Sequence, residues 1–312
     1  MKYPIFDAHC DTIFEMAEQE QPLRKNGLQL DLARRSAPEG AIQVFAAFVD
    51  KTDIRCFPMQ HVVRLIQRYH QEISANADLA VHCTDMQQIH AAVSAGKTAA
   101  LLSIEGGEAL GGDLAALWMF YQLGVRLLTL TWNHANELAD GITEPRGGGL
   151  TAFGRQVVQR MNELGMVIDV SHLSERAFWD VAELSDKPFV ASHSCVKKLC
   201  AHPRNLTDAQ IQAIVDAGGC IGVNFYTGFL TEGERCTSDD IVRHLTYLCE
   251  HGAAKHVGLG SDFDGVESLP EDIRGAEDLP ILFEKLQQAG FTEEMQKDIA
   301  SANFLRVFSQ IL

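Results

Sequence analysis

Imidazole and carboxylate side chains stand directly after several short apolar segments of this sequence. These residues are His9, Asp11, Glu105, His172, His193 and Asp262. Glu105, for example, follows the apolar run AALLSI, and His193 follows PFVAS. Imidazole nitrogens and carboxylate oxygens are ligands that proteins use for zinc. If the fold brings them together, five such groups could hold two divalent cations, with one carboxylate bridging the pair.

The apolar runs predict eight β-strands that alternate with helices. The expected strands are residues 3–8, 41–48, 99–104, 125–131, 166–170, 189–192, 220–225 and 256–260. The clearest helical segments are residues 114–123, 153–164, 174–184, 207–217, 238–251, 279–289 and 292–312. The strand segments are almost continuously apolar, which is typical of strands buried on both faces. Ser174 and Thr207 are residue types that cap helix N-termini.

This alternation predicts a single (β/α)8 TIM barrel domain over residues 1–312. A doubly wound sheet is the alternative, but no G-x-G-x-x-G follows the first segment. Residues 22–40 and 50–60 are irregular in pattern and are expected to form loops over one end of the barrel. The C-terminal ends of all strands in a TIM barrel meet at one face, so the metal-capable residues should converge there.

Each of these residues also has an ordinary structural explanation. A single histidine in a strand is more often a hydrogen-bonded core residue than a ligand, and Asp11 or Asp262 could cap a helix or lie in a turn. Their shared position after strand ends favours a metal site instead. Histidines in helices or loops are expected to be structural, for example His61, His70, His90 and His251.

The spacing of the first two metal-capable residues indicates how they are directed. His9 and Asp11 are two residues apart, so both can face the barrel axis and chelate one ion, while Cys10 turns away into the packing. Asp7 and Asp169 shortly precede ligand histidines and could orient their imidazoles, but the pattern leaves their role open.

Composition and charge disfavour several kinds of partner. A formal net charge of −16 disfavours binding to nucleic acid or to an anionic membrane surface. The sequence shows no targeting signal and no apolar run long enough to span a bilayer, which predicts a cytoplasmic protein. The eight cysteines form no C-x-x-C pair and are expected to be reduced thiols.

Seven motifs resemble those of a known family. In chain order they are DAHCD, SIEGGEAL, LTLTWNHANELADG, GLTAFGRQVVQRMNELGMVIDVSH, ASHSC, HPRNL and GLGSDFDG. Together they resemble the renal (membrane) dipeptidase family of zinc peptidases, from residue 6 to about residue 265. The resemblance implies a barrel of the amidohydrolase type, dipeptidase activity and, by analogy with relatives, a homodimer.

The resemblance also implies roles for individual residues. His9 and Asp11 would bind one zinc ion, His172 and His193 would bind a second, and Glu105 would bridge the two ions.

Four further residues match or depart from the family's substrate site. Arg204, in HPRNL, matches the family's substrate-binding arginine, and Asp262 matches its catalytic acid. Mammalian members place a substrate-contacting histidine just after the LTLT strand, where this chain has Trp132. His134 lies two residues further on and could replace that contact, so the substrate range could differ from theirs.

Residue chemistry predicts how such a site would work. Two metals would lower the pKa of a shared water, and the resulting bridging hydroxide would attack the peptide carbonyl of a dipeptide. Glu105 and Asp262 would be catalytic, with Asp262 moving a proton to the leaving amine. Arg204 suits a peptide's C-terminal carboxylate. Dipeptides with a D-residue at the C-terminal position are left open as substrates by the sequence. Zinc suits these ligands, although manganese and cobalt also accept them.

Two alternatives remain open from the sequence. One is an amidohydrolase that acts on N-acyl amino acids, D-amino-acid derivatives or β-lactam-like amides. The other is a barrel that binds metal without turnover, which the complete ligand set and Asp262 disfavour. A requirement for a free α-amino group in the substrate would separate a dipeptidase from the first alternative.

Overall fold

The computed structural model describes residues 3–35, 39–49 and 57–312. These ranges contain nine β-strands, and all their pairings are parallel. The strands are β1 (Ile5–Asp7), β2 (Ala41–Phe48), β3 (Ala80–His82), β4 (Thr98–Glu105), β5 (Val125–Thr129), β6 (Val167–Asp169), β7 (Val190–Ala191), β8 (Cys220–Val223) and β9 (Val257–Leu259).

Eight of these strands close into a barrel. The order around the barrel is β1, β2, β4, β5, β6, β7, β8 and β9, and β9 returns to β1 through the pairing of Asp7 with Leu259. The predicted TIM barrel is confirmed, and each of the eight predicted strand segments overlaps one barrel strand.

The ninth strand, β3, has no counterpart in the sequence prediction. It pairs with Thr98–Ala100 at the start of β4, on the edge that β5 occupies from Leu102 onward. Two of its three residues are only half-buried. It therefore lacks the continuous apolar pattern that marks the barrel strands.

Thirteen α-helices lie in the described residues, most of them between the strands. They are α1 (Thr12–Glu18), α2 (Leu32–Arg35), α3 (Pro58–Ala75), α4 (Met86–Ser94), α5 (Leu114–Gln122), α6 (Ala152–Leu164), α7 (Glu175–Leu184), α8 (Asp208–Asp216), α9 (Thr227–Leu230), α10 (Ser238–Leu248), α11 (Leu279–Gln288), α12 (Glu293–Lys297) and α13 (Asn303–Ile311). Within the described ranges, no helix is long and apolar enough to cross a membrane.

Side chains cap the helices where the sequence suggested. Ser174 Oγ accepts a hydrogen bond from the Ala177 N–H at the start of α7. Thr207 and Gln210 cap each other's backbone N–H groups at the start of α8. These bonds satisfy N–H groups that the first turn of a helix leaves unpaired.

The first segment expected to form a loop over one end instead spans both ends of the barrel. Gln29 exchanges hydrogen bonds with Asp264, beyond the C-terminal end of β9. Arg35, in α2, donates to the carbonyl oxygens of Ile5 and Ile42, at the opposite end. The expectation of a loop over one end is therefore wrong for the part of the segment around Arg35, because the chain must return to the start of β2 at the opposite end.

The second segment expected to form a loop, residues 50–60, ends in a helix instead, so the prediction is wrong for its last residues. Helix α3 begins at Pro58, and proline is favoured in the first helical turn because it has no N–H to leave unpaired. Residues 50–56 lie outside the described ranges.

The last helix anchors the first strand. The Phe6 ring stacks on Phe304 at 5.1 Å between ring centroids and meets the edge of Phe308 at 5.0 Å. All three rings are buried. This packing holds β1 in place three residues before His9.

Candidate active site

The metal-capable residues converge at the C-terminal ends of the barrel strands. His9 and Asp11 follow β1, Glu105 ends β4, His172 follows β6, His193 follows β7 and Asp262 follows β9. All six are buried. Their side chains become neighbours because the ends of parallel strands meet at one face of a barrel.

Glu105 lies between two groups of atoms that are able to bind a metal ion. Its Oε2 is 3.4 Å from Nε2 of His9, which is itself 3.2 Å from Asp11 Oδ2. Its Oε1 is 3.0 Å from Nε2 of His172 and 3.5 Å from Nε2 of His193. The Glu105 carboxylate therefore presents one oxygen to each half of the site.

Outer hydrogen bonds fix the tautomers of two histidines. His172 Nδ1 donates to the side-chain oxygen of Asn133 at 2.8 Å. His193 Nδ1 lies 2.7 Å from Ser192 Oγ, whose own hydrogen is donated to Asp169 at 2.5 Å. The serine oxygen can therefore only accept from His193. Both Nε2 atoms are left with lone pairs directed at the centre.

These ligand atoms fit a bound cation. The Nε2 atoms of His172 and His193 are 2.8 Å apart. Neither carries a hydrogen, so they repel each other unless a positive ion is shared between them. In the other half, Asp11 Oδ1 is buried and has no hydrogen-bond partner among the described residues. The ligand atoms of His9, Asp11 and Asp262 all lie within 4.8 Å of one another.

Gly265 leaves space beside the half of the site that contains His9 and Asp11. A Cβ atom at Gly265 would clash with Asp11 Oδ2 and with Asp262 Oδ1. Any larger residue would therefore fill the space beside these two carboxylates. A glycine at this position is consistent with an ion that needs that space.

Burial and neighbouring charges set the protonation of the centre. Burial lowers the pKa of His172 and His193, which keeps both imidazoles neutral and able to bind a cation. Burial would raise the pKa of Glu105, but the neighbouring His9 outweighs it and holds that pKa well below its usual range. Burial would lower the pKa of His9, yet Glu105 and Asp11 raise it. The carboxylates therefore favour positive charge beside the His9 ring.

Backbone strain is concentrated at this face of the barrel. His172, Asp262 and Asp264 adopt left-handed φ angles of 69°, 62° and 69°. Non-glycine residues rarely adopt this conformation, which costs about 1–3 kcal/mol each and is found where side chains must be directed at a functional site. Asn224 holds one of these side chains by donating to Asp262 Oδ2 at 2.7 Å.

Asp7 and Asp169, the last residues of β1 and β6, bind serines of neighbouring strand ends. Asp169 accepts hydrogen bonds from the N–H and O–H of Ser192. Asp7 likewise accepts hydrogen bonds from the N–H and O–H of Ser261, at 2.8 and 2.6 Å. Each serine directly precedes a residue of the centre, so each aspartate fixes the strand end that carries it. The Cys10 thiol donates to a backbone carbonyl of β2.

A cleft of about 490 Å³ opens onto the centre, and Arg204 lines it. Arg204 is buried, and its Nη2 donates to the carbonyl oxygen of His193 at 3.3 Å. Its Nε has no hydrogen-bond partner among the described residues. Burial lowers the pKa of Arg204, but a guanidinium remains charged near neutral pH. The cleft therefore contains a buried positive charge with a free donor.

Among the described residues, Trp132 lines the cleft and His134 does not. The Trp132 ring lies 6.3 Å from that of His172. The His134 side chain is 43% exposed, with its Nδ1 3.9 Å from Glu144 Oε1. Asn133, between the two, holds His172.

Sequence patterns do not single out three residues that support the centre, Asn133, Ser192 and Asn224. Ser192 carries a usable signal, since it directly precedes His193 as Ser261 precedes Asp262. The two asparagines carry none, because their partners lie 39 and 38 residues away. Only the closed barrel brings these pairs together.

A parallel barrel with buried histidines and carboxylates gathered at its strand ends has the architecture of a metal-binding barrel enzyme. The whole chain, residues 1–312, matches the family model of the membrane dipeptidases, peptidase family M19. The chain belongs to this family of metallopeptidases, and it is a hydrolase that acts on peptide bonds.

The chain is also similar to individual proteins and to solved structures. A Klebsiella pneumoniae protein described as uncharacterised, from the pqqA 5′ region, is 41% identical over 218 residues, which are 67% of this chain and 80% of that protein. An uncharacterised dipeptidase of Schizosaccharomyces pombe is 34% identical over 254 residues, 79% of this chain and 60% of that protein. A metallo peptidase from Rhodobacter sphaeroides, crystallised with a phosphinate mimic of the dipeptide L-Ala-D-Ala, has a TM-score of 0.89 and 27% identity over 99% of both chains.

Proposed function

We propose that this chain is a two-zinc dipeptidase that hydrolyses dipeptides, including those with a D-residue at the C-terminal position. The proposal rests on the placement of the two carboxylate oxygens of Glu105. One lies beside His9 and the other lies beside His172 and His193. A carboxylate in this position can bind one ion through each oxygen.

His9 and Asp11 would hold one zinc ion, and His172 and His193 would hold the other. When bound, zinc polarises a carbonyl group and lowers the pKa of a nearby water molecule. The protein's own contribution is to hold the ligand nitrogens unprotonated. Asn133 and Ser192 do this by occupying the Nδ1–H groups of the two histidines.

Asp262 is assigned the proton transfer. Its Oδ1 lies 3.7 Å from His9 Nε2, at the edge of the centre, while Oδ2 is held by Asn224. One carboxylate oxygen is thus oriented and the other can accept a proton from the attacking water. Asp262 then returns that proton to the amine of the leaving amino acid.

Arg204 is assigned the substrate's C-terminal carboxylate. In a dipeptide this carboxylate lies one residue beyond the scissile bond, so a tripeptide would place a neutral carbonyl against the buried guanidinium. A buried charge left unpaired costs several kcal/mol. We therefore expect dipeptides to be preferred over tripeptides by on the order of a thousandfold.

Acceptance of a D-residue is supported by the relative that binds a mimic of L-Ala-D-Ala. A guanidinium that holds the terminal carboxylate does not itself contact the neighbouring side chain. Either configuration can therefore keep this anchor, provided that the cleft walls accommodate the side chain.

Matched alanine substrates test the proposal. We expect the zinc-loaded protein to cleave L-Ala-L-Ala and L-Ala-D-Ala, and to cleave their C-terminal amides and trialanine poorly. Arg204→Met should reduce the ratio of kcat/KM between free acid and amide, whereas Arg235→Met, at an exposed arginine, should leave it unchanged. Equal kcat/KM for acid and amide in the unmodified enzyme would contradict the role of Arg204. Faster hydrolysis of N-acetylalanine than of any dipeptide would favour the amidohydrolase alternative.

A further inference from the structure

Two aromatic walls face each other across the cleft. One wall consists of Phe14, Phe48 and Trp132, which all line the cleft. Phe48 links the other two rings, at 5.3 Å from Phe14 and 5.2 Å from Trp132 between centroids. The opposite wall contains Tyr226 and Phe229, whose rings are 4.9 Å apart.

The strand order places these walls on opposite sides of the barrel mouth. Phe48 ends β2 and Trp132 follows β5, and these two strands flank β4. Tyr226 and Phe229 follow β8. In a ring of eight strands, β8 lies directly across from β4. Arg204, between β7 and β8, belongs to the second side, and its guanidinium lies 5.4 Å from the Phe229 ring.

The three rings of the first wall are not fully buried. Phe45, three residues earlier on β2, is fully buried, whereas Phe14, Phe48 and Trp132 are only half-buried. Partly exposed aromatic rings that line a cleft offer a large apolar contact surface for a ligand.

We infer that Phe14, Phe48 and Trp132 form the subsite for the side chain of the substrate's N-terminal residue, and that they select large apolar side chains there. The inference rests on the proposed function. With the carboxylate at Arg204 and the scissile carbonyl over the metal centre, the N-terminal residue extends away from β8. It therefore reaches the wall beside β4, where a large apolar side chain buries more surface than glycine does.

The test compares Leu-Ala with Gly-Ala, which share the C-terminal residue. In the unmodified zinc-loaded enzyme we expect kcat/KM to be higher for Leu-Ala. Trp132→Ala should lower the ratio of the two values by at least about tenfold, the usual range for apolar side-chain discrimination. Phe48→Leu provides a second variant, because Phe48 is not adjacent in sequence to Asn133 and should lower the ratio without disturbing His172.

Tyr226→Leu is the matched control on the opposite wall. It should alter the dependence on the C-terminal residue and leave the ratio of Leu-Ala to Gly-Ala near its original value. If both first-wall variants lower kcat/KM equally for the two substrates, or if Tyr226→Leu shifts the ratio instead, the subsite assignment is wrong while the dipeptidase proposal stands. Failure of the unmodified enzyme to cleave any dipeptide would overturn both.

Discussion

Ser192 connects buried Asp169 to His193, one of the proposed zinc-binding histidines, through a single hydroxyl group. Its O–H donates to Asp169, and its oxygen accepts from Nδ1 of His193. Ser192→Ala should therefore remove the hydrogen bond that fixes the tautomer of His193. We expect zinc binding to weaken by about 10–100-fold, the usual effect of losing such a partner. Competition of the stripped protein with a chelating dye measures this affinity.

Ser194 supplies the matched control for this substitution. Its hydroxyl is buried two residues away and has no hydrogen-bond partner among the described residues. Ser194→Ala should leave zinc affinity unchanged, and Ser192→Thr, which keeps a hydroxyl, should restore most of it. Equal affinities in Ser192→Ala and the unmodified protein would contradict the role of this hydrogen bond.

Asp262 is expected to move protons and not to be essential for holding metal. Asp262→Asn should bind two zinc ions and turn over at least about 100-fold more slowly, the usual contribution of a general acid–base group. Metal analysis and kcat on the same preparation measure both effects. Because Asp262 also lies within ligand distance of His9 and Asp11, loss of one zinc in this variant would make it a ligand instead.

The principal site residues could be predicted because each directly follows a strand, and strand ends converge by the geometry of a barrel. Trp132 and His134 show where this reasoning stops. They are two residues apart after the same strand, yet one ring borders the cleft and the other side chain turns to Glu144. The conformation of the loop determines which of the two side chains faces the cleft, and no periodic pattern in the sequence predicts that conformation.

At the scale of elements, helix α10 supports the loop that follows His193. His244 in α10 accepts a hydrogen bond from the Val196 N–H at Nδ1 and donates from Nε2 to the carbonyl oxygen of Leu230, each at 3.0 Å. Burial lowers the pKa of His244 to about 4. The neutral imidazole is the form that can make both bonds, so protonation removes the link to Val196.

This arrangement predicts a loss of stability in acid. The unfolded chain binds a proton at His244 below its ordinary pKa of about 6.5, whereas the folded chain does so only near pH 4. The contribution of His244 is therefore complete above about pH 6.5 and is lost as the pH falls toward 4, by up to about 3 kcal/mol.

Urea unfolding of the chelator-treated protein at pH 7.5 and pH 4.5 measures the effect. The difference in the free energy of unfolding between the two pH values should shrink in His244→Gln. His251→Gln, at an exposed histidine beyond the same helix, is the control and should keep the full difference. An unchanged difference in His244→Gln would contradict the assignment.

Regular elements could be predicted where burial imposes a pattern. The barrel strands are buried on both faces and read as apolar runs, whereas β3 is partly exposed and α2 has only four residues. Neither is long or periodic enough to be recognised. Arg35 illustrates the limit, since a charged residue in an irregular segment gives no sign that it binds carbonyl groups at the far end of the barrel.

At the scale of the whole molecule, the barrel gathers residues from His9 to Asp262 around one carboxylate. The metal-capable residues lie at strand ends, and the lining of the cleft also includes residues of the helices and loops beyond them. The fold and the convergence of the metal-capable residues could therefore be predicted from sequence, while the facing aromatic walls could not, because their rings come from a strand end, helices and loops around the barrel mouth.

Zinc titration of the metal-stripped protein, with bound zinc and L-Ala-L-Ala hydrolysis measured on the same samples, tests the two-metal centre most directly. We expect binding to saturate at two zinc ions per chain and activity to reach its maximum only as the second ion binds, since Glu105 presents one oxygen to each half of the site. His172→Ala should saturate at one ion with little activity. Saturation of the unmodified protein at one ion with full activity, or full activity in the exhaustively chelated protein, would contradict a centre bridged by Glu105.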